Sequence, residues 1–168
     1  SFYEYMSAYE NLALYANFYE EVEEKRILEV LDIVELGSAA HTKVAKYSSG
    51  MKQSLDFARA ILHQPKILFL DEPFNGMDIE KKAVLRDYLQ QLSKKEGTAI
   101  VLSSHMVGDL ERFANRVMIV YESHILYDGT TKDALASLPP DKEVSLEEFY
   151  LMTIGQYKSR KVGASYVS

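Results

Sequence analysis

Three continuous apolar runs constrain this chain more than any other feature: Ile67-Leu68-Phe69-Leu70, Ala99-Ile100-Val101-Leu102 and Val117-Met118-Ile119-Val120. Short apolar runs without polar alternation suit strands buried on both faces. A helical pattern of Val84, Leu85, Tyr88, Leu89 and Leu92 lies between the first two, and a shorter one follows His105. This β-α-β-α-β order predicts a mostly parallel sheet with right-handed crossovers, so the fold class is α/β.

Upstream the period changes. Leu12, Tyr15 and Tyr19, then Ile27, Leu28, Leu31 and Val34, recur at the three- and four-residue steps of amphipathic helices. Gly37 and Ser38 end that region, and a loop from Lys43 leads to Ser48-Ser49-Gly50. Those small polar residues can cap a helix whose apolar face is Leu55, Ala58, Ile61 and Leu62, closed by Pro65. Downstream, Ile125-Leu126-Tyr127 predicts a short strand and Gly129-Thr130 a turn, followed by helices near 131–138 and 145–153. The expected division is a helical subdomain over 1–64, an α/β core over 65–138, and a C-terminal helix with a disordered tail over 139–168. Lys158, Arg160 and Lys161 form the only basic cluster and fall in that solvated tail.

Composition excludes several classes. A formal charge of -6 without a clustered basic face argues against a nucleic-acid partner. Cysteine is absent, which removes disulfide frameworks and thiolate metal sites. No run approaches the roughly 18 apolar residues that a membrane-spanning helix needs. With 168 residues and 47% hydrophobic content, the chain suits one ordinary globular core.

Two segments carry chemistry. The first apolar run ends in Asp71-Glu72-Pro73. Ligands of open α/β sheets bind beyond the carboxyl ends of the strands, and phosphoryl-transfer sites need a carboxylate for Mg²⁺ and a second group to orient or deprotonate water. Asp71 and Glu72 suit those roles in that order. An acidic pair before proline is equally suited to ending a strand, with Pro73 biasing Glu72 toward extended backbone. The second segment is Tyr47-Ser48-Ser49-Gly50-Met51-Lys52-Gln53, a small-residue loop opening a helix. Its exposed N–H groups and positive dipole end can receive an anion, or the segment is a plain capped helix. The histidines His41, His63 and His124 share no metal-ligand spacing.

Taken in order, Ser48-x-Gly50-Met51-Lys52-Gln53, Leu70-Asp71-Glu72-Pro73, Asn75-Gly76-Met77-Asp78 and Ser103-Ser104-His105 resemble the ABC ATPase family in order and spacing, over roughly 2–149. The segment Tyr9-Glu10-Asn11-Leu12 is similar to the family's stretch just after its Q-loop. The resemblance implies a partial P-loop NTPase of RecA-like fold, with ATP and Mg²⁺ as cofactors. It implies that Ser48, Ser49 and Gly50, in the signature motif, meet the γ-phosphate of ATP held by a second ABC ATPase subunit, a homodimer partner. Asp71 would organise Mg²⁺, Glu72 would act as general base, Asp78 would lie in the D-loop at the dimer interface, and His105 would sense the γ-phosphate.

Some positions depart from the family pattern. Ser49 stands where many members have glycine, Met51 where many have glutamine, and Ser54 where an arginine is common; loss of that cation is expected to loosen the signature helix. The Tyr-Ser-x-Gly-Met-Lys-Gln form resembles a variant among antibiotic-peptide and multidrug exporters. No Gly-x4-Gly-Lys-Ser/Thr occurs in the sequence, and the family's Q-loop glutamine falls before Ser1. Truncation of a longer product, inactive as an ATPase in this form, is the expectation. The implied function is the energy-coupling ATPase of an exporter, peripheral to the cytoplasmic face of the cell membrane and joined to a membrane-spanning permease subunit. The alternatives are a non-catalytic signature piece acting with an intact partner and a non-transport ABC-fold ATPase.

Overall fold

Ser7 starts the first helix by a reciprocal cap. Its hydroxyl accepts the Glu10 N–H at 3.2 Å while the Glu10 carboxylate accepts the Ser7 N–H at 2.7 Å, so donors left open at a helix start are satisfied. The computed structural model describes residues 1–20 and 22–165. It divides into two compact units, Ser1–Ser103 and Ser104–Ser168.

In the first unit, helices α1 (Ala8–Ala16), α2 (Glu24–Ile33) and α3 (Ser49–Ile61) form a layer, with short 3₁₀ turns at Gly37–Ala39 and Val44–Lys46. Their shared core contains Leu12, Val30, Leu31, Leu36, Leu55, Ile61 and Leu62, all fully buried. The apolar stripe expected for α3 is the face that packs. Arg26 joins α2 to the end of α3: its guanidinium donates to the carbonyls of Ile61 at 3.0 Å and Leu62 at 3.4 Å, which the helix end leaves without intrahelical partners.

Strand β1 (Ile67–Asp71), helix α4 (Ile79–Lys95) and strand β2 (Ala99–Ser103) complete this unit. The strands pair in parallel from Ile67 opposite Ala99 to Asp71 opposite Ser103, as the sequence predicts for a β-α-β crossover. Their burial is not two-sided, however. Leu68 is buried, but Ile67, Phe69 and Val101 on the other face are 58%, 73% and 52% exposed. Among the described residues a layer covers one face only.

The second unit contains α5 (Val107–Glu111), β3 (Arg116–Tyr121), β4 (His124–Thr130), α6 (Thr131–Ala136) and α7 (Leu146–Ser165). The third apolar run does not pair in parallel: β3 forms an antiparallel hairpin with β4. Glu122 and Ser123 connect them with φ of 47° and 62°, the pair of left-handed residues that a two-residue type I′ turn requires. Neither is the glycine or asparagine that marks such turns. Gly129-Thr130, expected as a turn, lies inside β4, and Thr130 then caps α6 by accepting the Asp133 N–H at 3.0 Å. Val117, Ile119, Ala134, Leu146, Phe149 and Ile154 form the core of this unit. Helix α7 continues through Gly155 to Ser165, where the sequence predicts a disordered tail; Lys161 pairs with Glu122 at 2.6 Å and Tyr157 packs against Tyr121. Among the described residues no helix is long and apolar enough to cross a membrane.

Candidate functional site

The carboxyl end of β1 and the amino end of α3 meet in the first unit. Ser48 caps α3, its hydroxyl accepting the Met51 N–H at 3.2 Å. Ser48 and Ser49 are exposed, at the helix end where N–H groups and the dipole favour an anion. Gly50 has a packing reason for being glycine: a Cβ there would lie 2.8 Å from the Gly76 carbonyl oxygen. Gly76 itself is at φ 72°, the left-handed region that glycine enters without a Cβ clash. The segment Asn75-Gly76-Met77-Asp78 is therefore folded directly against the start of α3. Asp78 then caps α4 by accepting the Lys81 N–H at 2.9 Å.

A second link joins α3 to the acidic pair: the Gln53 side-chain amide donates to the Glu72 carbonyl at 3.3 Å. Glu72 has φ 46°, so it is not in the extended backbone that Pro73 is expected to impose. A left-handed conformation for a non-glycine residue costs about 1–3 kcal/mol and collects at functional sites. Asp71 is exposed at the end of β1. Its carboxylate accepts from the Ser103 hydroxyl at 2.5 Å, and the same hydroxyl accepts the Glu72 N–H at 3.1 Å.

Six of the seven residues singled out from sequence, Ser48, Ser49, Gly50, Asp71, Glu72 and Asp78, thus lie on three connected segments of one unit. His105 belongs to the second unit, exposed in the segment before α5, where Ser104 accepts the Met106 N–H at 3.0 Å. Sequence reasoning missed Gln53, Gly76 and Ser103 as contributors, although all three stand inside the quoted motifs. Ser103 could have been found by aligning the two apolar runs in parallel, which places it opposite Asp71. Ser54, where a lost cation was expected to loosen the helix, is 1% exposed within the packed face of α3, a place for a small side chain.

Among the described residues no group of three or more histidine or acidic side chains could hold a metal. Mg²⁺ keeps several waters and takes one or two carboxylates beside substrate phosphates, so it does not require such a group. Asp71 can serve as such a carboxylate, and the α3 start can receive a phosphate.

Comparison with known proteins gives the same direction. Residues 2–75 match the family model described as ABC transporter. The chain is 38% identical over 149 residues to the uncharacterized ABC transporter ATP-binding protein YdbJ of Bacillus subtilis (strain 168), covering 84% of this chain and 48% of that protein. It is 36% identical over 125 residues to the bacitracin transport ATP-binding protein BcrA of Enterococcus faecalis, covering 74% and 41%. A solved structure of an ATP-binding subunit of an ABC transporter superposes with a TM-score of 0.80 at 28% identity, covering 92% of this chain and 65% of that one. The chain spans about half the length of these curated relatives. By family model, relatives and fold together, the chain belongs to the ATP-binding proteins of the ABC transporter family.

Proposed function

We propose that this chain is the part of an ABC exporter's ATP-binding subunit that carries the signature segment and the hydrolytic carboxylates, within a longer subunit that supplies the phosphate loop. The observation that carries the reading is the join of Asp71 and Glu72, at the end of a parallel strand, to the start of α3 through Gln53 and the Gly50–Gly76 approach. Asp71 offers a carboxylate to Mg²⁺, which when bound neutralises charge developing on the transferring phosphoryl oxygens. Glu72 accepts the proton of the attacking water, and its left-handed backbone sets the direction from which it does so. Ser48, Ser49 and Gly50 contact the γ-phosphate of ATP held by a second, identical subunit. Asp78 stabilises the start of α4 at that dimer interface, and His105 senses the γ-phosphate.

The subunit sits at the cytoplasmic face of the membrane against a permease. Export, rather than import, rests on the form of the signature segment, which resembles a variant among antibiotic-peptide and multidrug exporters; BcrA is named for bacitracin transport. The test is Glu72→Gln in the full-length subunit. ATP binding should persist while hydrolysis slows ~10²-fold or more, the scale of general-base loss, with residues 1–168 alone as an inactive control. An unchanged rate removes Glu72 from the mechanism.

A further inference from the structure

Matched residues on neighbouring parallel strands present their side chains on the same face, with the strands about 4.8 Å apart. Asp71 and Ser103 are such a pair, at the carboxyl ends of β1 and β2. Both side chains are short, so hydroxyl and carboxylate meet without an intervening group, as their 2.5 Å separation records. An alanine, a valine or any other apolar residue at 103 would have nothing to donate. A hydroxyl carries one proton and two lone pairs. Ser103 gives its proton to Asp71 and turns a lone pair to the Glu72 N–H at 3.1 Å. One oxygen therefore restrains two consecutive residues. The second of them occupies φ 46° immediately before a proline, a conformation that local preference opposes.

We infer that Ser103 is a positioning residue for the metal–nucleotide site: its hydroxyl fixes the carboxylate of Asp71 and the backbone turn from which Glu72 projects. This rests on the roles proposed above for Asp71 and Glu72. It goes beyond them because Ser103 touches neither phosphate nor water in the scheme and acts only through its neighbours. Outer partners that orient a ligating carboxylate contribute to metal affinity as well as to rate, which separates this role from plain strand-end stability.

The experiment compares Ser103→Thr with Ser103→Val in the full-length subunit. The two are matched in shape, and both are at home in a strand, so the hydroxyl is the variable. Ser103→Ala is a third variant, and thermal melting of each checks the fold. The metal readout is Mn²⁺ titration by electron paramagnetic resonance in the presence of ATP, in a Glu72→Gln background that suppresses turnover. Steady-state hydrolysis with the wild-type Glu72 is the second readout. Ser103→Val and Ser103→Ala should raise the Mn²⁺ half-saturation about tenfold and lower kcat by a similar factor, while metal-free ATP affinity holds and Ser103→Thr stays within about twofold of the parent. Metal affinity and kcat unchanged in Ser103→Val overturn the inference, as does a Thr variant impaired as badly as the Val variant, which would assign the effect to packing. Asp71→Asn separates the two levels. If it abolishes Mn²⁺ binding while Ser103→Val keeps the parent's half-saturation, the inference alone falls; if Asp71→Asn too leaves Mn²⁺ binding intact, the assignment of Asp71 falls and takes the inference with it.

Discussion

The helical layer and the β1–β2 sheet belong to one unit and are built from similarly apolar sequence, yet they end in different states. In the layer Leu12, Leu31, Leu36, Leu55, Ile61 and Leu62 are fully buried. In the sheet Phe69 is among the most exposed large apolar residues of the chain. A helix satisfies its backbone within its own segment and needs only one stripe covered, which α1, α2 and α3 do for one another. A parallel strand depends on partners brought from far along the chain and on cover for both faces. Among the described residues β1 has one strand partner and one covered face. Stability should accordingly reside in the helical layer, while the sheet serves to place Asp71, Glu72 and Ser103.

The comparison breaks most directly at Leu55, at the centre of the layer. Leu55→Ala should destabilise the chain by about 2–5 kcal/mol, from lost transfer energy and the cavity left behind. Urea unfolding checks this, and a loss below about 1 kcal/mol would mean that the layer is not the stable part.

A smaller effect is expected at the junction of the two regions. Gly76→Ala introduces a Cβ at φ 72°, a strain of about 1–2 kcal/mol. If the Gly50–Gly76 approach is as close as described, Gly50→Ala should destabilise as well, and the pair should be non-additive in a double-mutant cycle because they share one contact.

The layer also has a pH dependence of its own. His63 stacks on Tyr19 with ring centroids 4.3 Å apart, its Nδ1 is buried with no hydrogen-bond partner among the described residues, and burial lowers its pKa from 6.5. The unfolded chain then takes up a proton that the folded chain declines. The contribution is present in full above the unfolded value and is lost as pH falls through it toward the depressed folded value. Urea midpoints at about pH 7.5 and about pH 5.5 should differ more in the parent than in His63→Phe, which keeps the ring but cannot titrate. An identical pH response in both would remove His63 from the account.

The smallest effect on stability is expected at the bare face of the sheet. Phe69→Ser should shift folding stability by no more than about 0.5 kcal/mol, since little apolar area is removed from a buried site. Its visible consequence should be lower self-association in light scattering, because an exposed apolar sheet face is an aggregation surface. A large loss of stability would show that Phe69 is covered in solution and would erase the contrast between sheet and layer.

Much of the candidate site was legible because its parts are local. The Ser48 cap, the apolar stripe of α3, the run ending in Asp71-Glu72-Pro73 and the order of the four motifs depend on residues a few positions apart, where steric preference and periodicity act. The left-handed Glu72 was not legible, since Pro73 points the other way. Nor was the two-residue hairpin at Glu122-Ser123, which lacks the glycine, asparagine or aspartate that marks a type I′ turn and joins the third apolar run to an antiparallel partner.

By itself the sequence determined the kinds of element, the parallel crossover from β1 through α4 to β2, and the family. Tertiary structure alone decided the Ser103 link to Asp71 and Glu72, the approach of Gly50 to the Gly76 carbonyl, and the one-sided burial of the apolar runs. The reason is the range of the forces. Backbone sterics and side-chain period choose helix or strand within a few residues, whereas register and burial are settled by which distant segments come to lie alongside.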